Sequence, residues 1–252
     1  MHSSKKIGNQ LLDAFSSAAF DRLQPHLEPY ELILAAEIHD PGDMAEHVYF
    51  PISGLISVVA TMNDGASVEI GVAGREGMFG VAAILGDDTP SQRAMVQLPG
   101  SALRLKTPRF RQEMKADPAM QATLLRYAQA TLSAAGQSAA CNRLHMLEQR
   151  CARWLLTAHD RAADDTFPLT HEFLAMMLGV RRPGVTLAAR SLRKGGLIAY
   201  SHGSMSVLDR RGLEAASCEC YRAIRDEFDR LLGPSDKPGP DDFRGQVLEQ
   251  RH

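Results

Sequence analysis

The sequence of 252 residues contains no uninterrupted apolar run of the roughly 18 residues that a membrane-spanning helix requires. Its first residues, Met1 to Gln10, are polar and lack the apolar core of a secretory signal. These two absences predict a protein that neither spans a membrane nor is exported. We therefore expect it to be cytoplasmic, without a membrane partner.

Cysteine is scarce, with four residues in the whole chain. So few thiols in so long a chain do not form the disulfide scaffold of a small secreted protein. Cys218 and Cys220 have no second pair at zinc spacing, and we interpret them as incidental thiols. Cys141 and Cys151 lie ten residues apart in a helical segment and are expected to pack. The sequence assigns no metal ligand and identifies no cofactor.

The motifs of common catalytic sites are also absent. The chain has nine histidines, yet it contains no His-Glu-x-x-His pattern, no Walker loop and no Gly-x-Ser-x-Gly elbow. Without one of these patterns, nothing in the sequence indicates a nucleophile or a catalytic metal. We expect a protein that is not an enzyme.

The formal net charge is −2, from 28 basic and 30 acidic side chains, so the total charge dictates no partner. The distribution is uneven: residues 1–146 carry −3, residues 147–212 carry +4, and residues 213–252 carry −3. Within the basic block, the segment from Arg181 to Lys194 holds five cations and no acid. A charge run is usually a solvated face, but the surrounding pattern favours another interpretation.

The first part of the chain has a sequence pattern typical of an antiparallel sheet. A short amphipathic helix is expected first, over residues 11–28, where leucine and phenylalanine recur at helical spacing. From Tyr30 to Leu105, short apolar runs alternate with turn signals such as Asn63-Asp64-Gly65 and Ser53-Gly54. Short strands separated regularly in this way predict a sandwich or barrel.

A long helical segment follows, beginning at Thr107-Pro108 and again after Asp117-Pro118, because proline is well tolerated in a first helical turn. Its apolar and small residues recur at alternating spacings of three and four, which is typical of a coiled-coil seam. A helix that packs only on its own domain is the alternative. The seam predicted to join two chains consists of Leu125, Ala128, Leu132, Ala135 and Ala139.

Residues 169–194 have the pattern of a helix-turn-helix. Thr170 is the expected N-cap of a helix over Phe173 to Leu178, and Gly179 ends that helix. Pro183 fits the first turn of a second helix, which extends to about Lys194. Two helices of this size joined through a glycine turn are typical of DNA-binding proteins.

The segments beside this motif complete a winged domain. Residues 164–168 precede it and are interpreted as a linker. Two apolar runs flank residues 201–204, which predicts a β-hairpin that would form the wing. From Gly233 the tail is rich in proline, glycine and aspartate and is expected to be mobile.

The order of β-roll, long helix and winged helix-turn-helix resembles the Crp/Fnr family of bacterial transcription regulators, over roughly residues 11 to 215. The most specific segment is LTHEFLAMMLGVRR at residues 169–182, followed by Leu192 and by Gly196-Leu197-Ile198. The glycine rhythm of the front part, including Asp40-Pro41-Gly42-Asp43, is similar to the family's cyclic-nucleotide-binding-like domain.

The resemblance implies an α+β fold with an N-terminal antiparallel β-roll, a long dimerisation helix and a C-terminal winged helix-turn-helix. The expected boundaries are 11–106 for the β-roll sensor, 107–146 for the long connecting and dimerisation helix, 147–215 for the DNA-binding domain, and 216–252 for a partly disordered extension.

The resemblance also implies a homodimer that binds palindromic operators in double-stranded DNA and regulates transcription, with RNA polymerase as a further partner if it activates. The alternative is a ligand-binding module that signals to a protein partner. Such a module needs no cationic, acid-free recognition helix followed by a wing, so we favour the DNA-binding regulator.

The sequence departs from the family where an effector would bind. Members that bind cyclic AMP hold the ribose with a Gly-Glu pair and the cyclic phosphate with an Arg-Ser pair. The corresponding pairs here are Gly80-Val81 and Arg93-Ala94, so we do not expect cyclic AMP to bind in the usual way. Arg93 is a candidate anion contact, with an exposed loop arginine as the alternative. The expected effector pocket consists of Gly80, Val81, Gln92, Arg93 and Ala94.

The cysteines that would hold an iron–sulfur cluster are missing too. Members that sense oxygen through an iron–sulfur cluster use cysteines near the N-terminus, and this sequence has none before Cys141. The sequence therefore leaves the effector unidentified.

The second helix of a helix-turn-helix lies in the major groove with its N-terminal residues facing base edges. The resemblance places the family's base-contacting arginine at Arg182, and places Pro183 and Leu187 where the family has a glutamate and a second arginine. We therefore expect more apolar and backbone contact, with Thr186 and Val185 included. The residues expected to contact bases or phosphates are Thr170, Arg181, Arg182, Gly184, Thr186, Arg190, Arg193, Lys194, Ser201 and His202.

Overall fold

Antiparallel strands form a pair of sheets in the first half of the chain, as the turn signals predict. The computed structural model describes residues 7–234. The strands are β1 (Glu28–Leu32), β2 (Glu37–His39), β3 (His47–Pro51), β4 (Leu55–Thr61), β5 (Ser67–Ala73), β6 (Arg93–Leu98) and β7 (Gly100–Lys106). One sheet has the order β1-β7-β3 and the other the order β2-β6-β4-β5.

The two sheets enclose a shared core. Tyr49 and Ala102 of the first sheet lie in the same buried cluster as Ile56 of the second. The turn between β3 and β4 connects the sheets at Gly54, where φ is +83° and a Cβ would lie 2.7 Å from the Leu98 carbonyl oxygen. This turn requires glycine, because an L side chain would be strained by the positive φ and would overlap the backbone.

The N-terminal helix expected over residues 11–28 is divided into short pieces. They are α1 (Gln10–Asp13), α2 (Ser17–Leu23) and a 3-10 turn (Gln24–His26). The prediction of one helix was wrong because Ser16 has an extended backbone and its Oγ accepts a hydrogen bond from the Ala19 N–H, which begins a new helix. The apolar side chains still face the core, with Leu11 and Leu23 fully buried.

The long helical segment also consists of separate helices. They are α4 (Thr107–Ala116), α5 (Pro118–Leu144) and α6 (Leu147–His159), while α3 (Val81–Leu85) lies earlier, between β5 and β6. Asp117 separates α4 from α5 with an extended backbone, and its side chain caps α5. His145 and Met146 are extended as well, so α6 takes a new direction after α5.

Helix α5 is fixed to the β-roll by Tyr127, whose side chain is 2% exposed. Its hydroxyl donates a hydrogen bond to the Met78 carbonyl at 2.7 Å and accepts one from the Met78 N–H at 2.9 Å. The ring lies against Gly77, where a Cβ would be 2.0 Å from it. Burial raises the pKa of Tyr127, so the phenol is neutral and supplies both bonds.

The C-terminal elements form the predicted winged helix-turn-helix. They are β8 (Thr166–Pro168), α7 (His171–Leu178), α8 (Arg182–Lys194), β9 (Ile198–Ser201), β10 (Ser204–Val207) and α9 (Arg210–Ala216). As expected, Thr170 caps α7 and Gly179 ends it in the left-handed conformation. His202 and Gly203 form the hairpin turn, and both have the positive φ that a type I′ turn requires.

The expected linker over residues 164–168 is a strand in its second half. β8 pairs with β10, so the wing is a three-stranded sheet with the order β8-β10-β9. Phe167, which is 3% exposed, belongs to the core of this domain. A strand of three residues is too short to show an alternating pattern in the sequence, which is why it was missed.

Another helix, α10 (Cys220–Leu232), lies in the region that the sequence analysis assigned to a partly disordered extension. It packs along α5 in the opposite direction. Gln137 of α5 contacts Cys220 at the start of α10, while Arg126 donates a hydrogen bond to the Leu231 carbonyl at its end. The part of the predicted mobile tail from residue 235 onward lies outside the described residues.

Within residues 7–234, no helix is both long enough and apolar enough to cross a membrane. Helix α5 has sufficient length with 27 residues, but polar side chains such as Gln121, Gln129 and Gln137 interrupt its apolar surface. This finding agrees with the absence of a long apolar run in the sequence.

We expect Gly77→Ala to destabilise the protein, because the new methyl group would overlap the Tyr127 ring and displace α5 from the β-roll. Overpacking of this kind costs about 1–3 kcal/mol. Chemical denaturation followed by circular dichroism measures the change. Gly71→Ala is the matched control, since no atom lies within 4 Å of a Cβ at that glycine. Equal stability of the two variants would contradict the assigned role of Gly77.

Candidate nucleic-acid interface

Helix α8 has one buried face and one solvent face. Val185, Ala188, Ala189 and Leu192 form the buried face and pack in the core of the winged helix-turn-helix. Pro183 lies in the first turn, where its missing N–H removes no helical hydrogen bond. The amphipathic pattern therefore fixes which side chains of α8 reach the solvent.

The solvent face of α8 and the N-cap residue that precedes the helix carry the cations that the sequence singled out. Arg181, Arg182, Arg190, Arg193 and Lys194 are all exposed. Arg182 lies 3.8 Å from Glu172 of α7, but the two side chains are 66% and 77% exposed. An ion pair so open to water contributes little, and Arg182 is therefore available to another anion.

An apolar side chain stands among these cations. Leu187, at the position where the resemblance implies a second arginine, is 63% exposed on the same face of α8. An exposed leucine there offers an apolar contact of the kind that recognises a thymine methyl group.

Two of the residues expected to contact bases face the interior of the domain. Val185 is completely buried, so the expectation that it contacts a base was wrong. The sequence pattern identified the helix but not which of its faces packs against α6. Gly184 also faces inward, since a Cβ there would lie 3.0 Å from the Leu147 side chain.

Thr186 is held by a side chain that the sequence analysis did not assign. Its hydroxyl donates to the Arg182 carbonyl and lies 3.2 Å from Nδ1 of His171. The His171 ring stacks on Tyr200 of the wing, with centroids 4.5 Å apart. Burial, and then the charge of Arg182, lower the pKa of His171, which is therefore neutral at physiological pH. His171 thus connects α7, α8 and the wing.

Three more of the residues expected to contact bases or phosphates lie at the ends of elements. Thr170 Oγ1 accepts the Phe173 N–H at 3.1 Å as the cap of α7. Ser201 and His202 are exposed at the tip of the wing, with the Ser201 hydroxyl 2.8 Å from Nδ1 of His202. Hydroxyl and imidazole groups placed in this way suit contacts that position DNA without reading its sequence.

The predicted dimer seam forms an exposed stripe on α5. Ala128 is half-buried, while Leu125, Leu132, Ala135 and Ala139 are exposed. The two leucines are 49% and 68% exposed, respectively. The opposite face of α5 is buried against the β-roll and α10, and the described chain leaves most of the stripe uncovered.

The residues of the expected effector pocket are divided between different parts of the β-roll. Val81 packs beside the cluster that contains Tyr127, whereas Ala94 belongs to the cluster between the sheets. Gly80 is packed against Val48, and Arg93 forms an ion pair with Glu37. Gln92 bonds to the neighbouring Ser91 hydroxyl. Arg93 thus has a carboxylate partner, with the two side chains 41% and 44% exposed.

A cavity of about 390 Å³ lies elsewhere, between β5, α5, α6 and α10. None of the expected effector residues lines it. Its wall includes Glu69, Arg75, Arg153 and Asp160, which give it both signs of charge. Desolvation lowers the pKa of Arg75 there.

The β-roll and the winged helix-turn-helix are joined beside this cavity by polar contacts. Arg161 forms two charge-assisted bonds with Glu76, at 2.8 and 3.0 Å, and its carbonyl accepts the Gly54 N–H. Trp154 Nε1 donates to Glu69 at 2.9 Å. The sequence analysis did not assign these residues, since their partners lie 85 positions apart in the chain.

Three of the cysteines and a histidine meet near the end of α5. Cys141, Cys218 and Cys220 form a small buried cluster, and His145 is beside them. Cys151 lies apart, in the core of the winged helix-turn-helix. The sequence analysis grouped Cys141 with Cys151 and treated Cys218 and Cys220 separately, and it did not consider the helical spacing of Cys141 and His145, which was the available signal.

The carboxyl group of Glu69 gives the domain contact a pH dependence. Burial raises its pKa to about 7 from an ordinary value of 4.5, although hydrogen bonds from Ser57 and Trp154 favour the charged form. Between these two values the folded protein holds a proton that the unfolded chain has released. Stability therefore falls as the pH rises through this range.

We expect Glu69→Gln to reduce this loss, because an amide cannot ionise but retains an acceptor for Trp154 and a donor for Ser57. The difference in unfolding free energy between pH 5 and pH 8 should shrink by about 1–3 kcal/mol. Denaturation at both pH values measures it, with the exposed Glu31→Gln as control. An unchanged difference would show that Glu69 is ionised throughout.

Two family models match the chain. The cyclic nucleotide-binding domain matches residues 36–117, and the Crp-like helix-turn-helix domain matches residues 149–216. Together these segments cover more than half of the sequence, in the order that the fold requires. A comparison with curated protein sequences gives no match.

Solved structures of regulators share the fold. FixK2 from Bradyrhizobium japonicum is 17% identical, with a TM-score of 0.65 over 76% of this chain and 98% of its own. TTHB099 from Thermus thermophilus, a transcriptional regulator of the CRP family, is 22% identical, with a TM-score of 0.62 over 75% and 96%.

CLP from Xanthomonas campestris, described as a c-di-GMP responsive global regulator, is 18% identical, with a TM-score of 0.56 over 76% of this chain and 99% of its own. The likeness to these structures concerns the fold, and the family models supply the assignment. With a cyclic nucleotide-binding domain followed by a Crp-like helix-turn-helix domain, the chain belongs to the Crp/Fnr family of transcription regulators.

Proposed function

We propose that this regulator binds palindromic operators as a homodimer and reads them with the solvent face of α8. The observation that carries the proposal is the distribution of charge on that helix. Four exposed cations lie on the solvent face and a fifth, Arg181, precedes the helix as its N-cap, while the opposite face is buried in the domain core. A cationic helix presented in this way can enter the major groove while its neighbours contact phosphates.

The side chains of α8 that we propose to contact the operator have different chemical properties. Arg182 has the planar donor fork that forms two bonds to one guanine. Leu187 supplies an apolar contact, and Thr186 is held in place by His171. Arg193 and Lys194, near the end of the helix, suit the phosphate backbone. We therefore propose an operator with a guanine in each half-site and an apolar contact beside it.

The exposed stripe on α5 supports the dimer. Its leucines and alanines recur at spacings of three and four, and the alanines allow two helices to approach closely. Exposed leucines in a row on one helix leave apolar surface in water unless a second helix covers it. A two-fold dimer formed through α5 would present two copies of α8 to successive major grooves.

We further propose that the β-roll does not hold cyclic AMP in the way that is usual in the family. Arg93, at the position for the cyclic phosphate, pairs with Glu37. Val81 has no acceptor for a ribose hydroxyl and is half-buried beside an apolar cluster. RNA polymerase is a further partner if the protein activates transcription.

Selection from random duplex DNA, with no nucleotide added and at near-physiological salt, tests the proposed function. The expected result is enrichment of a palindrome whose half-sites are about one helical turn apart, roughly 10–10.5 base pairs, or a multiple of that. No enrichment, either alone or with cyclic nucleotides, would favour the alternative of a module that signals to a protein partner.

We expect Arg182→Ala to relax the preference at one base pair per half-site, because a bidentate arginine discriminates between bases by about 1–3 kcal/mol. Binding to a library in which each operator position is varied measures this preference. Lys115→Ala, which removes an exposed cation from α4, is the control and should change nothing. Identical base preferences in Arg182→Ala and the unaltered protein would exclude Arg182 as a base-specific contact.

Leu132→Asp should break the dimer, because it places a carboxylate of each chain at the centre of the stripe. Light scattering after size exclusion should give the mass of one chain rather than two, together with loss of binding to a full palindrome. Leu85→Asp is the control, since Leu85 is 67% exposed on α3 and is not part of the stripe. A variant that is still dimeric would place the interface elsewhere.

A further inference from the structure

Four side chains with metal-binding atoms converge where α5 ends and α10 begins. They are Cys141 and His145, one helical turn apart near the end of α5, and Cys218 and Cys220 on either side of the start of α10. One donor atom from each lies within 4.8 Å of all the others. The three cysteines are buried and none is in a disulfide.

Two of the separations match those in a tetrahedral site around a single ion. Cys141 and Cys218 have their sulfur atoms 3.5 Å apart, and the Cys220 sulfur is 3.5 Å from Nδ1 of His145. Zinc bonds of about 2.3 Å to sulfur and 2.0 Å to nitrogen place neighbouring ligands roughly 3.5–3.8 Å apart in a tetrahedron. Three thiolates and one imidazole are a ligand set of structural zinc sites.

The groups around the four ligands are also those that a metal site needs. Nε2 of His145 lies 3.2 Å from a Glu219 carboxylate oxygen, which leaves Nδ1 free for a metal. Such a carboxylate fixes the tautomer of a ligating histidine. Nε2 of Gln137 donates to the Cys220 sulfur at 3.0 Å, a contact that stabilises a thiolate.

We propose that Cys141, His145, Cys218 and Cys220 form a structural zinc site. The site joins the end of α5 to the start of α10, two residues before α6 begins. It would therefore fix the point at which the long helix passes into the winged helix-turn-helix. A mononuclear site of this set releases protons from the thiols as zinc binds, because the ligands are thiolates.

Direct metal analysis of the full-length protein tests the proposal independently of DNA binding. The expected result is one zinc per chain in protein purified under reducing conditions. After removal of zinc with a chelator, titration with Co²⁺ should give the ligand-field bands of a tetrahedral ion and thiolate-to-cobalt charge transfer, with saturation at one equivalent. Zinc should then displace the cobalt and abolish the bands.

Variants assign the ligands. Cys218→Ser and Cys220→Ser should each reduce zinc affinity at least tenfold and weaken the charge-transfer bands, while His145→Gln should change the ligand-field bands but keep the sulfur contribution. Cys151→Ala is the matched control, because that cysteine is buried in another cluster, and it should still bind one equivalent. Circular dichroism of each metal-free variant checks that it is folded.

Two results would overturn the proposal. One is less than a tenth of an equivalent of zinc in the unaltered protein together with no tetrahedral cobalt spectrum. The other is a Cys141–Cys218 disulfide, found by mass spectrometry of protein purified under reducing conditions, since a disulfide removes two of the ligands. Metal binding without operator selection would leave the zinc site established and contradict only the proposed function.

Discussion

The docking of α5 on the β-roll depends on the two hydrogen bonds between the Tyr127 hydroxyl and the backbone of Met78. They satisfy a buried N–H and a buried carbonyl at the same point, and leaving either without a partner would cost about 1–3 kcal/mol. The same ring contacts Phe228 of α10 at a centroid distance of 6.1 Å. One side chain therefore sets the position of α5 against both the β-roll and α10.

With α5 in place, the winged helix-turn-helix is held against the β-roll by groups of opposite charge and by a hydrogen-bonded indole. The side chains of Arg161 and Glu76 are both almost buried. Their attraction offsets the free-energy cost of removing the two charges from water. Trp154 donates a hydrogen bond to Glu69, and the buried position of that carboxyl group makes its ionisation unfavourable in the folded protein. The orientation of α8 relative to the β-roll thus depends on residues outside α8.

Local signals predicted much of this architecture. The strands, the cap at Thr170 and the glycine stop at Gly179 are encoded by residues within a few positions of one another, so the sequence was sufficient for them. Which face of α8 is buried depends on α6, and Val185 was therefore misassigned. The Cys141–Cys218 contact spans 77 positions, a separation at which only the folded chain brings residues together.

Helix α10 follows the winged helix-turn-helix and packs back along α5, so α5 and that domain are connected at two places. His145 and Met146 form the direct link between α5 and the DNA-binding domain, which begins with α6. Because α10 continues from that domain and lies back along α5, rotation about the link must also move α10 along its partner helix. Any reorientation of the domain relative to α5 would therefore also disturb the α5–α10 contacts, which oppose such a movement.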